Sequence, residues 1–398
     1  MTDAKRALTD AMARERLRIV AALIRHTGDW ELAEDAVADA AERALVRWPR
    51  DGVPDNPAAW LTTTARRRAI DLIRRKNTER TRLADVAALA AQPASSEDGD
   101  DRLRLIFTCC HPALPLQARV ALTLKVVCGL STGAVARAFL TSEATMSQRL
   151  LRAKQKISHA GIPYRVPSQD MLPERLDGVL AVIYLVFTEG WAGDADSDLA
   201  AEAIRLGRLV TALLPRSDEA RGLLALMLLQ HSRRDARTVD GQLVTLEHQD
   251  RTRWDSDAIG EALALLRTPA RELGSYRIQA ELAAVHATTP HAEDTDWGAI
   301  VALYRELLDL QPSPVVRLNL AIAIGMVDGA DAGLAELDAL SDDAALRAYP
   351  PLHAARGELL ARAGHTADAV AELSEAIALA TTEQERAQLD RRRSELAG

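Results

Sequence analysis

Little in this chain can stabilise it outside a large helical core. Only three of its 398 residues are cysteine, Cys109, Cys110 and Cys128, too few for a disulfide framework in a protein of this size. Adjacent residues point to different sides of a helix, and no second CxxC or HxxxH supplies the missing ligands of a zinc site. The three therefore read as buried structural thiols, and no metal or cofactor is expected. Aromatic residues make up 4%, which leaves Ala and Leu to fill the core. That mixture favours helices, because strands prefer β-branched and aromatic residues. No window approaches the ~18 uninterrupted apolar residues of a membrane span. The N-terminal MTDAKRALTDAMARERLR lacks the apolar core of a signal peptide, and the chain is expected to stay in the cytoplasm. Enzyme signatures are missing too. There is no Walker loop, GxSxG, HExxH or carboxylate pair, and His111, His231, His248, His286 and His291 are scattered. No catalytic residue is assigned and no enzyme is expected.

What is present is divided by charge. Residues 1–165 hold 27 Lys and Arg against 19 Asp and Glu, a net of +8, while 166–398 hold 22 against 38, a net of −16. The front suits a polyanion; the back does not, except through local patches. The opposite charges predict that the two halves attract in the free protein, with the tail screening part of the basic surface. The rival expectation is that the tail takes a positive part in function.

Helical periodicity runs through the front. Leu17, Val20, Ala21 and Ile24 form one inward stripe, broken at Gly28-Asp29. Leu32, Ala36, Val37, Ala40, Ala44 and Leu45 form another, expected to stop at Trp48-Pro49. After a Pro- and Gly-rich loop, Asn56 is placed as N-cap and Pro57 at the first helical position. In the helix that follows, Trp60, Leu61, Ala65, Ile70 and Ile73 are expected inside. The pattern dissolves over 79–101, ending in the acidic QPASSEDGDD, which reads as a flexible linker. A second compact helical unit covers 102–162, with Pro163 and Pro167 at its edge. Everything beyond looks helical. Within it Gly329 and Gly364, each followed by apolar residues at matching positions, lie 35 residues apart, close to the ~34-residue tetratricopeptide period. Ala323, Ala354 and Ala376 suit close helix crossings, whereas 168–300 fits the period poorly.

Two constellations point to DNA. In 130–157, LSTGAVARAFLTSEATMSQRLLRAKQKI, Ser131 caps a short helix with Val135 and Phe139 inside, and Thr141-Ser142 makes a turn. The next helix buries Met146, Leu150, Ala153 and Ile157 and presents Ser147, Gln148, Arg149, Arg152, Lys154 and Lys156. Short helix, tight turn and a basic second helix make a helix-turn-helix, whose second helix enters the major groove; the competing reading is a solvated helical hairpin. The other constellation is Arg66, Arg67, Arg68, Arg74, Arg75, Lys76, Arg80 and Arg82, eight cations in 17 residues, enough for several phosphate contacts.

AEDAVADAAERAL (33–45), DNPAAWLTTTARRRAIDLIRR (55–75) and the helix-turn-helix resemble extracytoplasmic-function sigma factors. FTCCHPALP (107–115) and RLDGVLAVIYLVFTEGW (175–191) resemble the subgroup with a C-terminal tetratricopeptide-like extension. The resemblance implies an all-α chain: a sigma region 2 domain (1–78), the linker (79–101), a region 4 domain (102–162) and the helical extension (163–398). It implies RNA polymerase core and promoter DNA as partners, no membrane, and a protein partner for the extension. Asp35, Asp39 and Glu42 would contact the polymerase β′ subunit, although Ala38 and Ala41 depart from the family's usual Gln and aromatic residue. Asn56, Arg66, Arg67 and Arg74 would bind the −10 element, with Trp60 read as core rather than as a stacking platform. Ser142, Glu143, Ser147, Gln148, Arg149 and Arg152 would read the −35 element, while Lys154 and Lys156 would meet phosphates. The acidic linker would lie in the polymerase RNA channel or act as a plain tether. The competing functions are a helix-turn-helix regulator with a repeat-type sensor domain, and a scaffold that uses only the repeats.

Overall fold

The computed structural model describes residues 3–76, 101–139, 141–192, 199–239, 241–340, 343 and 346–398. Among them it contains eighteen α-helices and one two-stranded hairpin. The chain divides into two compact units, Met1–Leu206 and Gly207–Gly398.

In the front unit, α1 (Asp3–Thr27), α2 (Trp30–Asp51) and α3 (Pro57–Lys76) pack on one another. Gly28 takes φ +63° to end α1, and the Asp29 carboxylate accepts from the Leu32 N–H at 3.0 Å to start α2. The inward stripe of α2 is Leu32, Ala33, Ala36, Val37, Ala40, Ala44 and Trp48. Leu45, expected inside, is 51% exposed, because the stripe advances from 40 to 44 to 48 and residue 45 lies ~100° round the helix. Nor does α2 stop at Trp48-Pro49. Pro49 sits in the last turn, where its missing N–H forfeits one hydrogen bond, and Gly52 closes the helix by donating to the Trp48 carbonyl at 3.1 Å. In α3 the buried set is Leu61, Ala65, Ala69 and Ile73, in steps of four, so Ala69 takes the place expected for the half-buried Ile70.

The linker expected over 79–101 lies outside the described residues except Asp101, which opens α4 (Asp101–Cys109). Next come α5 (Leu116–Leu122), continued by a π turn over Thr123–Val127, then α6 (Thr132–Ala138), α7 (Glu143–His159) and α8 (Leu172–Ala192). Helix α8 packs on α4 and α5, burying Leu176, Val179, Leu180, Ile183, Val186 and Phe187. Each such side chain contributes roughly 1.5–3 kcal/mol, so this is a fixed joint of the front unit. Helix α9 (Leu199–Leu213) spans the division between the units.

The second unit is a succession of neighbouring helices: α10 (Asp218–His231), α11 (Ser256–Leu266), α12 (Ser275–Thr288), α13 (Trp297–Leu310), α14 (Pro314–Val327), α15 (Ala330–Asp338), α16 (Pro350–Arg362), α17 (Thr366–Leu379) and α18 (Glu383–Ala397). Gly329 and Gly364 both take positive φ, +98° and +85°, ahead of α15 and α17, so the 35-residue spacing reappears as a repeated turn. Where α14 meets α15, a Cβ on Gly333 would lie 2.7 Å from the Gly325 Cα. The tail is not helical throughout. Thr238–Val239 pairs antiparallel with Gln242–Leu243, and short 3-10 turns flank the hairpin. This insertion interrupts the helix succession within 168–300, the stretch that fits the tetratricopeptide period poorly. Asp-Gly at 240–241, between Thr-Val and Gln-Leu, is a hairpin signal.

Candidate nucleic-acid interface

The helix-turn-helix is built as its residues dictate. Ser131 Oγ accepts from the Ala134 N–H at 3.1 Å and Ser142 Oγ from the Thr145 N–H at 3.2 Å, so each helix starts on a capping serine. Val135 and Ala136 are buried, while Phe139 becomes the half-buried cap that ends α6. Met146, Leu150, Ala153 and Ile157 form the inward stripe of α7. All six residues expected to read DNA, Ser142, Glu143, Ser147, Gln148, Arg149 and Arg152, are exposed. Lys156 is exposed as well, but Lys154 is not free for phosphate: its ammonium lies 2.7 Å from Glu34 Oε2, at side-chain exposures of 14% and 16%.

The second basic face lies on α3. Asn56 Oδ1 accepts from the Ala59 N–H at 2.9 Å, which makes the exposed Asn56 the N-cap. Arg67 and Arg74 are exposed and Arg66 is half-buried; Arg80 and Arg82 lie outside the described residues. Trp60 is half-buried, edge-on to Trp48 with ring centroids 5.5 Å apart.

On α2, Asp35 and Glu42 are exposed, but Asp39 lies 2.7 Å from Arg43 and 3.2 Å from Arg68. Its carboxylate thereby joins α2 to α3. Asp35, Ala38, Glu42 and Leu45 follow one another in steps of three and four along the outer face, and Leu45 and Val46 add apolar area there, at 51% and 53% exposure. Such spacing suits a partner helix.

Sequence reasoning missed how the two faces are held together. The Arg16 guanidinium donates to the carbonyl of Val126 at 2.9 Å and that of Lys125 at 3.5 Å, where the π turn leaves carbonyls without helical partners. A Cβ on Gly129 would fall 2.8 Å from the Arg16 guanidinium. Burial pushes the Arg16 pKa down, partly countered by Glu34. The Tyr164 hydroxyl donates to the Ala21 carbonyl at 2.9 Å and lies 3.3 Å from that of Asp101, its pKa raised mainly by burial. These partners stand more than 60 residues apart in the chain, beyond any local pattern. Beside them, burial raises the Cys110 thiol to about 11 and that of Cys128 to about 12, so both stay neutral and unreactive.

These faces define a two-part DNA-binding protein of the sigma type, and comparison agrees. Residues 11–79 match the family described as Sigma-70 region 2, and residues 104–157 that described as Sigma-70, region 4. Residues 175–270 match a family of unknown function (DUF6596). The chain is 43% identical over 394 residues to "Uncharacterized protein R00370" from Rhizobium meliloti (strain 1021), covering 95% of this chain and 93% of the relative. No solved structure matches. The chain belongs to the sigma factors of the extracytoplasmic-function type that carry a C-terminal extension.

Proposed function

We propose that this protein binds core RNA polymerase, directs it to promoters with distinct −35 and −10 elements, and assists opening without performing chemistry itself. The observation that carries this reading is the pairing, in one compact unit, of a helix-turn-helix whose six reading residues are all outward with a second basic helix bearing Asn56, Arg67 and Arg74. In this reading α7 reads the −35 element through base edges, and α3 and the loop before it hold the −10 element. Strand separation is driven by differential binding, because unstacked bases and phosphates paired with Arg favour the open form. The polymerase meets the Asp35, Ala38, Glu42 and Leu45 face, so β′ contact rests on Asp35 and Glu42 more than on the internally paired Asp39. The C-terminal helical unit, tetratricopeptide-like in its 35-residue turn spacing, acts as a regulatory extension with its own protein partner. In vitro transcription with purified core enzyme tests the proposal, with specific initiation expected only when the full chain is added. Binding to duplex DNA alone, with no association with core at low salt, would favour a helix-turn-helix regulator instead.

A further inference from the structure

Helix α6, the first of the helix-turn-helix, carries none of the six expected reading residues, yet one of its positions is shaped around two charged side chains. Gly133 lies in its first turn. A Cβ there would fall 3.3 Å from Glu143 Oε2 and 3.6 Å from Glu143 Cδ, closer than side chains normally pack, and 3.8 Å from Arg137 Nη1. Glu143 opens α7, and its carboxylate reaches across to α6. Arg137 stands one turn further along α6, and its guanidinium lies back toward Gly133, as long side chains on a helix do. The two charged groups thus share one notch, which exists because residue 133 has no side chain. The turn between the helices is fixed beside it: the Thr141 N–H donates to the Ala136 carbonyl at 3.0 Å, and Ser142 caps α7. Glu143 and Arg137 are both exposed, and among the described residues neither side chain makes a hydrogen bond or an ion pair.

An acid and a base set side by side, with no partner in the protein, match a ligand edge that offers a donor beside acceptors. In the major groove a carboxylate accepts from the cytosine N4 amino group, and a guanidinium donates to guanine O6 and N7 together. A C·G pair presents those atoms on one edge. An A·T pair offers the amino donor without the paired acceptors, and guanine or thymine alone presents only acceptors to a carboxylate. We propose that Glu143 and Arg137 read one C·G pair of the −35 element together, Glu143 on the cytosine and Arg137 on the guanine. Gly133 is the positioning residue for both. The inference rests on α7 reading the −35 element, and it adds to that reading a residue from α6 and a base preference.

The test uses the full chain with core polymerase and a promoter library randomised over the −35 element, sequenced before and after selection for initiation. The unaltered protein should fix one C·G pair. Glu143→Gln should lower the preference for it ~tenfold and admit A·T there, since an amide both donates and accepts. Arg137→Ala should weaken the same position and no other. Gly133→Ala should do likewise by displacing both groups, while the melting temperature holds or rises, because Ala is the better helix former. A loss confined to one base pair without a loss of stability separates positioning from mere support of the fold. An unchanged preference in all three variants, or an Arg137→Ala loss spread evenly over every sequence, overturns the proposal and leaves the sigma reading standing. If the unaltered protein initiates with core at no preferred sequence, the sigma reading falls and this inference with it.

Discussion

Arg149 and Arg152 stand three residues apart on the outer side of α7, and each has the reach to meet a base edge with two N–H groups. Replacing either by Ala should remove ~1–3 kcal/mol of discrimination, roughly tenfold or more in promoter occupancy. Initiation on promoters with intact and scrambled −35 sequence measures this. An equal loss on both would reassign the residue to phosphate. In the second unit, His286 carries a pH dependence. Its imidazole is held down to about 4, first by burial and then by Arg233 and Arg251, while an unfolded histidine titrates near ~6.5. Unfolding between those values takes up a proton. Stability should therefore be full above pH ~6.5 and fall as pH drops toward 4, by on the order of 2–3 kcal/mol. Urea midpoints across this window check the slope, which His286→Gln should flatten.

At the scale of elements, the helices with a strong local signal were legible in the sequence. Ser131, Ser142 and Asn56 announced their caps, and the four-residue steps of Met146, Leu150, Ala153 and Ile157 placed the inner face of α7, leaving its reading residues outside. Where two candidate stripes lay one residue apart, as at Ala44 and Leu45 or Ala69 and Ile70, small residues took the crossing and larger ones turned out. Apolar character alone did not tell them apart. The contacts of Arg16, Lys154 and Tyr164 were not legible, since each depends on folding segments more than 60 residues apart. Helix α8 illustrates the same limit. The change of net charge falls before it, yet its Arg175 donates to the Phe107 carbonyl at 2.9 Å and its apolar face is buried in the front unit. A chain cut after Arg165 should therefore aggregate or melt early, because the faces of α4 and α5 lose their cover. A chain cut after Leu206 should stay monomeric and melt cooperatively. Sedimentation and circular dichroism distinguish the two.

Two DNA elements centred ~25 base pairs apart are separated by ~85 Å of duplex. Helix α3, at 20 residues, is ~30 Å long, and α7 is tied to α2 through Lys154 and Glu34 at 2.7 Å. On the proposed function, these contacts hold α7 close to α2, and reaching both elements requires a form in which Arg16, Lys154 and Tyr164 have let go. Observed affinity is then the intrinsic affinity scaled by the fraction of molecules extended. Tyr164→Phe, which removes only the hydroxyl that bonds the Ala21 carbonyl, should enlarge that fraction and tighten promoter binding with core enzyme while slightly lowering the stability of the free protein. On the proposed function, the hydroxyl that steadies the free protein is thus set against its hold on the promoter.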